Sequence, residues 1–105
     1  MNFLSHYQKK IESIAKRNSV SYLALFGSYA REDHKPTSDV DFLVEFNKPV
    51  GLIHLIRTEH QLEDILKKKV DLITRKGLSK YLRPFVEPDL KVIYEANWTI
   101  FVSYN

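Results

Sequence analysis

Two apolar runs joined by a short polar connection constrain the fold more than any other part of this 105-residue chain. Residues 20–26 are rich in β-branched and aromatic side chains and stop at Gly27, which is typical of a buried strand. Residues 39–46 alternate between two sets of side chains, which indicates a second strand. The connection ends in Pro36-Thr37-Ser38, as a returning loop does. The sequence therefore predicts a strand-turn-strand unit.

Two acidic residues share one face of the second predicted strand. Asp39 and Asp41 are two positions apart, so their side chains point the same way, roughly 7 Å apart by the usual rise per residue. Their mutual repulsion costs stability unless a cation lies between them. Carboxylate oxygens suit Mg²⁺ or Mn²⁺, which complete their shells with water and substrate phosphates. The pair is therefore a candidate metal site.

A candidate phosphate site follows the first strand. Gly27 and Ser28 stand where a chain commonly turns into a helix, whose free amides attract anions. Glycine lets a phosphate approach the backbone closely, and the Ser28 hydroxyl can donate a hydrogen bond to it. Arg31, one helical turn further on, can add a charge-assisted contact.

A third acidic residue begins another short run with strand character. Asp71 lies in residues 70–74, which follow an amphipathic helical segment that ends at Lys67-Lys68-Lys69. If this strand lies beside residues 39–46, Asp71 joins the first two carboxylates. Three carboxylates around two metal ions suit phosphoryl or nucleotidyl transfer.

The remaining pattern indicates an α+β fold with α/β layers, in which a small mixed β-sheet has helices packed on one face. Apolar residues at helical spacing predict a helix ending near residue 18, a second after Gly51, and a third over residues 78–86, halted by Pro88. Residues 90–94 fit either a helical turn or a strand. The tail, residues 97–105, has strand-like composition and is predicted to pair with the sheet, a second copy or another protein.

Bulk composition fits one small domain, predicted to span residues 1–105. The hydrophobic fraction of 44% allows a modest core, and the absence of cysteine excludes disulfides. We find no signal peptide and no apolar run of about 20 residues, so the sequence predicts a cytoplasmic protein without a membrane partner. The net charge of +3 is too small to require a nucleic-acid partner.

Together these motifs resemble a known family. The chain is similar to the minimal nucleotidyltransferases of the polymerase-beta-like superfamily, whose signature is Gly-Ser, about ten residues, Asp-x-Asp and a distant third Asp on a neighbouring strand. The matching positions are Gly27, Ser28, Asp39, Asp41 and Asp71. The resemblance covers about residues 19–96 and implies the nucleotidyltransferase fold. It also implies that the three acids bind metal, that Ser28 contacts phosphate, and that Asp71 activates the attacking hydroxyl.

One position departs from the family pattern. Glu32 stands where family members often have glycine after the arginine. It places negative charge near the expected triphosphate site and removes backbone freedom. We interpret this as a change that either weakens nucleotide binding or starts the loop differently.

The resemblance implies an antitoxin with enzymatic activity. Such proteins are commonly encoded beside a HEPN-type ribonuclease toxin, and active members transfer AMP from ATP to a tyrosine hydroxyl of that toxin in a Mg²⁺-dependent reaction. Two alternatives stay open. One is a catalytically silent antitoxin that neutralises the toxin by binding alone, and the other is a nucleotidyltransferase for small molecules such as aminoglycosides. The implied partners are ATP and the toxin, in a hetero-oligomer, and a homodimer also stays open.

Overall fold

The computed structural model describes residues 3–96, which form a four-stranded sheet with helices around it. The elements in chain order are a 3-10 turn (Phe3–Tyr7), α1 (Gln8–Arg17), β1 (Val20–Phe26), α2 (Ser28–Arg31), β2 (Val40–Phe46), α3 (Leu52–Leu66), β3 (Val70–Thr74), α4 (Arg83–Val86), a second 3-10 turn (Glu87–Asp89) and β4 (Lys91–Glu95). The strand order is β3-β2-β1-β4, with β2 and β3 parallel and the other pairs antiparallel. The predicted fold class, with its mixed sheet, is confirmed.

The strand predictions match the structure closely. The first and third strands have the predicted limits, and β2 begins at Val40, one residue later than predicted. For residues 90–94, which the sequence left open, the structure has a strand, β4, over Lys91–Glu95. The predicted strand in the tail, residues 97–105, lies outside the described residues.

The main core lies between one face of the sheet and the helices α1 and α3. Val40, Phe42 and Val44 of β2 are fully buried there, because alternate side chains of a strand point to the same face. They pack in one cluster with Ile11 of α1 and Leu62 of α3. Each large apolar side chain buried in this way contributes roughly 1.5–3 kcal/mol. The two long helices therefore cover one face, as predicted.

A smaller cluster covers part of the opposite face. Phe26 and Leu43 of the sheet pack there with Leu78 and Val86, which belong to the segment between β3 and β4. The predicted helix over residues 78–86 is much shorter in the structure, where α4 is a single turn. Proline is tolerated only in the first turn of a helix, so Pro84 prevents α4 from beginning much earlier.

Two carboxylates of α3 cover the outer edge of β3, which has a neighbouring strand on one side only among residues 3–96. The backbone N–H of Val70 donates to Glu63 Oε2, and that of Leu72 donates to Glu59 Oε2, both at 3.0 Å. These side chains satisfy the amides that an open sheet edge would offer to another chain. Edge strand and crossover helix are thus tied together.

We expect the double substitution Glu59→Ala/Glu63→Ala to lower the free energy of unfolding by about 2 kcal/mol, because two charge-assisted hydrogen bonds are lost. Urea denaturation at neutral pH measures the change. Asp64→Ala, on an exposed position of the same helix, is the control and should change stability by less than about 0.5 kcal/mol. Equal losses in the two variants would show that the edge contacts contribute nothing.

None of the helices within residues 3–96 is long and apolar enough to cross a membrane.

Candidate active site

Parallel pairing of β2 and β3 brings the predicted acids together. Asp41 and Asp71 are direct partners in the strand register. Their strand neighbours Val40 and Val70 are buried in the main core, so both carboxylates lie on the opposite face of the sheet from α1 and α3. Asp39 immediately precedes β2. The three acids thus occupy one surface, formed by residues about thirty positions apart along the chain.

Ionisation of Asp41 is unfavourable, because this carboxylate is half-buried beside two other acids. Burial, followed by the neighbouring negative charges of Asp71 and Asp39, raises the pKa of Asp41 to about 6. The positive charge of Arg31 opposes them and lowers this pKa. Asp41 therefore holds its proton more tightly than an ordinary aspartate, because its ionised form is partly desolvated and repelled.

Gly27 lies so close to this carboxylate that a side chain at this position would collide with it. Phe26, the last residue of β1, pairs with Asp41 in the sheet, so Gly27 continues directly past the acid. Its φ of +77° lies in the region that L side chains rarely adopt, and a Cβ on Gly27 would overlap Asp41 Oδ2. Absence of a side chain thus leaves space between the β1–α2 turn and the acids.

The turn into α2 places the other predicted phosphate-binding residues nearby. The amides of Ala30 and Arg31 both donate to the carbonyl of Gly27, at 3.0 and 3.1 Å, which starts the single turn of α2. Ser28 is the first residue of that turn and is half-buried. Gly27, Ser28 and Asp41 therefore lie on adjoining segments, as the sequence motif predicts.

Arg31 already has two acidic partners. Its Nε lies 3.1 Å from Asp33 and its Nη1 lies 2.8 Å from Asp89. Hydrogen bonds to Asp33 and then Asp89 raise the pKa of Arg31. A phosphate contact by Arg31 would have to exchange with, or add to, these pairs. Sequence patterns did not predict Asp89 as a partner of Arg31, since it lies 58 residues further along the chain.

Glu32, the departure from the family pattern, ends α2 in a left-handed conformation with φ of +64°. Glycine adopts this conformation without strain, whereas other L residues lose roughly 1 kcal/mol. The structure therefore explains why glycine suits this position. Glu32 adopts the left-handed conformation with some loss of stability.

We expect Glu32→Gly to leave stability within about 1 kcal/mol of wild type, because relief of strain offsets the greater freedom of the unfolded chain. Removal of the negative charge should strengthen binding of an ATP analogue by about threefold to tenfold. Calorimetric titration measures the affinity, and Glu32→Gln separates charge from backbone. Unchanged affinity in both variants would show that Glu32 does not act on the nucleotide.

The acids fit a divalent cation by their chemistry. They supply only oxygen ligands, which Mg²⁺ and Mn²⁺ prefer, and a cation would compensate the repulsion that raises the pKa of Asp41. Within residues 3–96, no three His, Asp or Glu side chains already converge on one point. The three acids thus lie on one surface, but their carboxylates do not converge on one point.

With the site described, comparison with known proteins assigns the family. The model of the nucleotidyltransferase domain family matches residues 8–95. The chain belongs to this family. A Methanocaldococcus jannaschii protein, provisionally named a protein adenylyltransferase, is 43% identical over 83 residues, which are 78% of this chain and 83% of the relative. Protein adenylyltransferase MntA of Thermococcus cleftensis is 37% identical over 67 residues, 64% of this chain and 68% of the relative.

Solved nucleotidyltransferase structures share the fold. A structure provisionally described as a minimal nucleotidyltransferase has a TM-score of 0.75 at 29% identity, covering 87% of this chain and 95% of that one. A toxin-antitoxin crystal structure with AMP-PNP has a TM-score of 0.73 at 23% identity, covering 88% and 76%. A complex of tri-AMPylated Shewanella oneidensis HEPN toxin with MNT antitoxin has a TM-score of 0.68 at 21% identity, covering 93% and 77%. The predicted nucleotidyltransferase family and fold are thus confirmed.

Proposed function

We propose that this chain is an antitoxin that transfers AMP from ATP to a tyrosine hydroxyl of a HEPN-type toxin. The observation that carries the proposal is the register pair of Asp41 and Asp71 beside Gly27, on the face of the sheet away from the long helices. The Thermococcus cleftensis relative, named a protein adenylyltransferase, supports the activity. The fold is shared with an MNT antitoxin in complex with an AMPylated HEPN toxin, which supports the partner.

In this proposal the chain binds ATP and a divalent cation with separate parts of the site. Gly27 and Ser28 hold the triphosphate, and Arg31 adds positive charge. Asp39, Asp41 and Asp71 hold Mg²⁺ or Mn²⁺. The bound cation would supply the positive charge that neutralises the carboxylates and the phosphates during transfer.

The transfer step assigns a distinct task to Asp71. Its carboxylate accepts the proton of the tyrosine hydroxyl, and the phenolic oxygen attacks the α-phosphorus of ATP. A new oxygen–phosphorus bond forms as the bond from the α-phosphorus to the bridging oxygen breaks, and pyrophosphate leaves with that electron pair. Asp71 is exposed, so a hydroxyl on a protein surface can reach it.

The open setting of the acids favours a protein acceptor over a small molecule. Asp39 and Asp71 are both exposed. A cavity of about 540 Å³ lies at the other end of β2 and β3, lined by residues 44–50 and 74–76. A small acceptor such as an aminoglycoside would need to be enclosed beside the acids, whereas a folded partner brings its own surface.

The test is co-expression with the protein encoded beside this chain, followed by incubation with Mg²⁺ and α-labelled ATP. Intact mass spectrometry should show the partner heavier by one or more AMP units. Asp39→Asn/Asp41→Asn is the control, which should leave the partner unmodified. An unmodified partner in complex with the wild-type chain would overturn the proposed transfer.

A second candidate, neutralisation by binding alone, has two observations in its favour. Glu32 puts negative charge beside the expected phosphate site, and Arg31 is already paired with Asp33 and Asp89. Growth rescue distinguishes the two functions. If Asp39→Asn/Asp41→Asn protects cells from the partner as well as wild type does, binding suffices.

A further inference from the structure

Residues 79–85 form a loop with an exposed apolar surface, referred to below as the 79–85 loop. All seven residues are exposed, whereas Leu78 and Val86 at its two ends are buried. Tyr81, Leu82 and Phe85 are 76%, 53% and 75% exposed. Tyr81 and Phe85 therefore do not fill the core, although they stand at the helical spacing that predicted a helix over residues 78–86. A cluster of large apolar side chains held in solvent is typical of an interaction site.

The loop is fixed next to the site acids. Leu78 and Val86 pack in one cluster with Phe26 and Leu43. Phe26 directly precedes Gly27, and Leu43 lies two positions after Asp41 on the same face of β2. Just beyond α4, Asp89 pairs with Arg31 of the phosphate-site turn at 2.8 Å. A protein bound to the loop is therefore adjacent to the acids and to the nucleotide-binding turn.

The loop itself is basic, although the site acids and the exposed Glu87 lie close to it. Residues 72–86 include no acid and four basic residues, Arg75, Lys76, Lys80 and Arg83. Arg75 is balanced by Glu45 at 3.4 Å. Lys80 and Arg83 are exposed within the loop, and Lys80 Nζ lies 5.4 Å from the ring centroid of Tyr81. An apolar centre with a basic rim is complementary to an apolar patch with an acidic rim.

The geometry points to the 79–85 loop as the docking surface for the acceptor protein, which presents an apolar patch with acidic residues around it. This inference rests on the proposed function in that the docked protein is the one that receives AMP. Binding at the loop places the acceptor on the face of the sheet that carries Asp41 and Asp71. A second copy of this chain fits less well, because two basic rims would repel each other.

A second exposed apolar group provides a matched control. Leu52, Ile53 and Ile56 on α3 are 68%, 75% and 40% exposed. They belong to the helix that covers the other face of the sheet, away from the acids. The two groups are similar in size and exposure but differ in position relative to the site.

The first experiment measures the affinity of the purified chain for the protein encoded beside it, by biolayer interferometry. Tyr81→Ser/Phe85→Ser should raise the Kd by about 100-fold, since exposed aromatics at an interface centre carry most binding energy. Leu52→Ser/Ile53→Ser should leave the Kd within about threefold. Both variants should bind AMP-PNP as wild type does, which shows that each is folded with an intact nucleotide site.

The second experiment tests the basic rim. Lys80→Glu/Arg83→Glu should slow association by about tenfold at low salt, and the difference should shrink as salt is raised. Lys9→Glu/Lys10→Glu, which reverses two exposed charges on α1, should change the rate less.

Several results would overturn the docking surface. These are wild-type affinity in Tyr81→Ser/Phe85→Ser, a greater loss of affinity in the α3 pair, or absence of any binding by the wild-type chain. Failure of the proposed function gives a different result. The wild-type chain would then bind the partner without modifying it, and the comparison of Kd values would still test the loop.

Discussion

Replacement of Asp41 by asparagine should abolish AMP transfer and, in the same protein, raise the stability of the metal-free fold. Asp41 is the half-buried member of the acidic surface, paired with Asp71 and touching Gly27. Loss of its charge should reduce transfer by about a thousandfold, because the proposed function uses this carboxylate to hold the cation. Few substitutions are expected to damage activity and improve folding together.

The stability gain follows from the pKa of Asp41, which is raised from 3.8 to about 6 in the folded protein. Between these values the folded state holds a proton that the unfolded chain has released, so stability falls as pH rises. The shift corresponds to at most about 3 kcal/mol, and screening by solvent at this half-buried site reduces it to about 1–2 kcal/mol. Asparagine does not ionise and avoids this loss.

Urea denaturation in EDTA across pH 4 to 8 measures the effect. The difference between Asp41→Asn and wild type should be small near pH 4 and reach its full size above pH 6. Asp64→Asn, an exposed position on α3, should show no such dependence. A variant less stable than wild type at pH 8 would contradict the repulsion assigned to this carboxylate.

Gly27→Ala is expected to damage both the fold and the activity. The φ of +77° strains any other residue, and the added Cβ would overlap Asp41 Oδ2. We expect a loss of about 2–3 kcal/mol in the free energy of unfolding, as the strand end and the carboxylate shift apart. AMP transfer should fall by about 100-fold, since displacement of a site group by a fraction of an ångström is costly.

Gly51→Ala is the matched control, because a Cβ at Gly51 meets nothing within 4 Å. It should cost less than about 1 kcal/mol and leave transfer unchanged. A double-mutant cycle isolates the contact with the carboxylate. In an Asp41→Ala background the cost of Gly27→Ala should fall by about 1 kcal/mol, leaving backbone strain. If Gly27→Ala lowers stability equally in both backgrounds, the whole loss comes from backbone strain at the positive φ of Gly27.

The sequence predicted most of the sheet because its strands have strong local signals. Runs of β-branched and aromatic residues indicated β1 and β3, alternation indicated β2, and Gly27 ends the first strand. The sequence could place Asp71 beside Asp41 only if β3 paired with β2. Strand pairing depends on residues far apart in the chain, so local patterns do not predict it. A shift of one residue in register would have moved Asp71 to the other face.

Local patterns were least informative between β3 and β4. Apolar residues at helical spacing predicted a helix over residues 78–86, but the same residues can pack inward or face solvent, and spacing does not distinguish these. Tyr81 and Phe85 face solvent, and Pro84 restricts the helix to one turn. The pairing of Arg31 with Asp89 was equally hidden, because an ion pair between distant residues leaves no periodic signal.

One face of the sheet forms the hydrophobic core, and the other carries the acids of the candidate site. Val40 and Phe42 point into the packed interior, whereas Asp41 between them points to the acidic surface. Substitutions among the acids therefore leave the interior untouched, and at Asp41 they should remove electrostatic repulsion on the acidic surface. A lineage that lost transfer would keep a folded protein with its 79–85 loop unchanged. The architecture thus gives descendants an easy route from an enzyme to a protein that acts by binding alone.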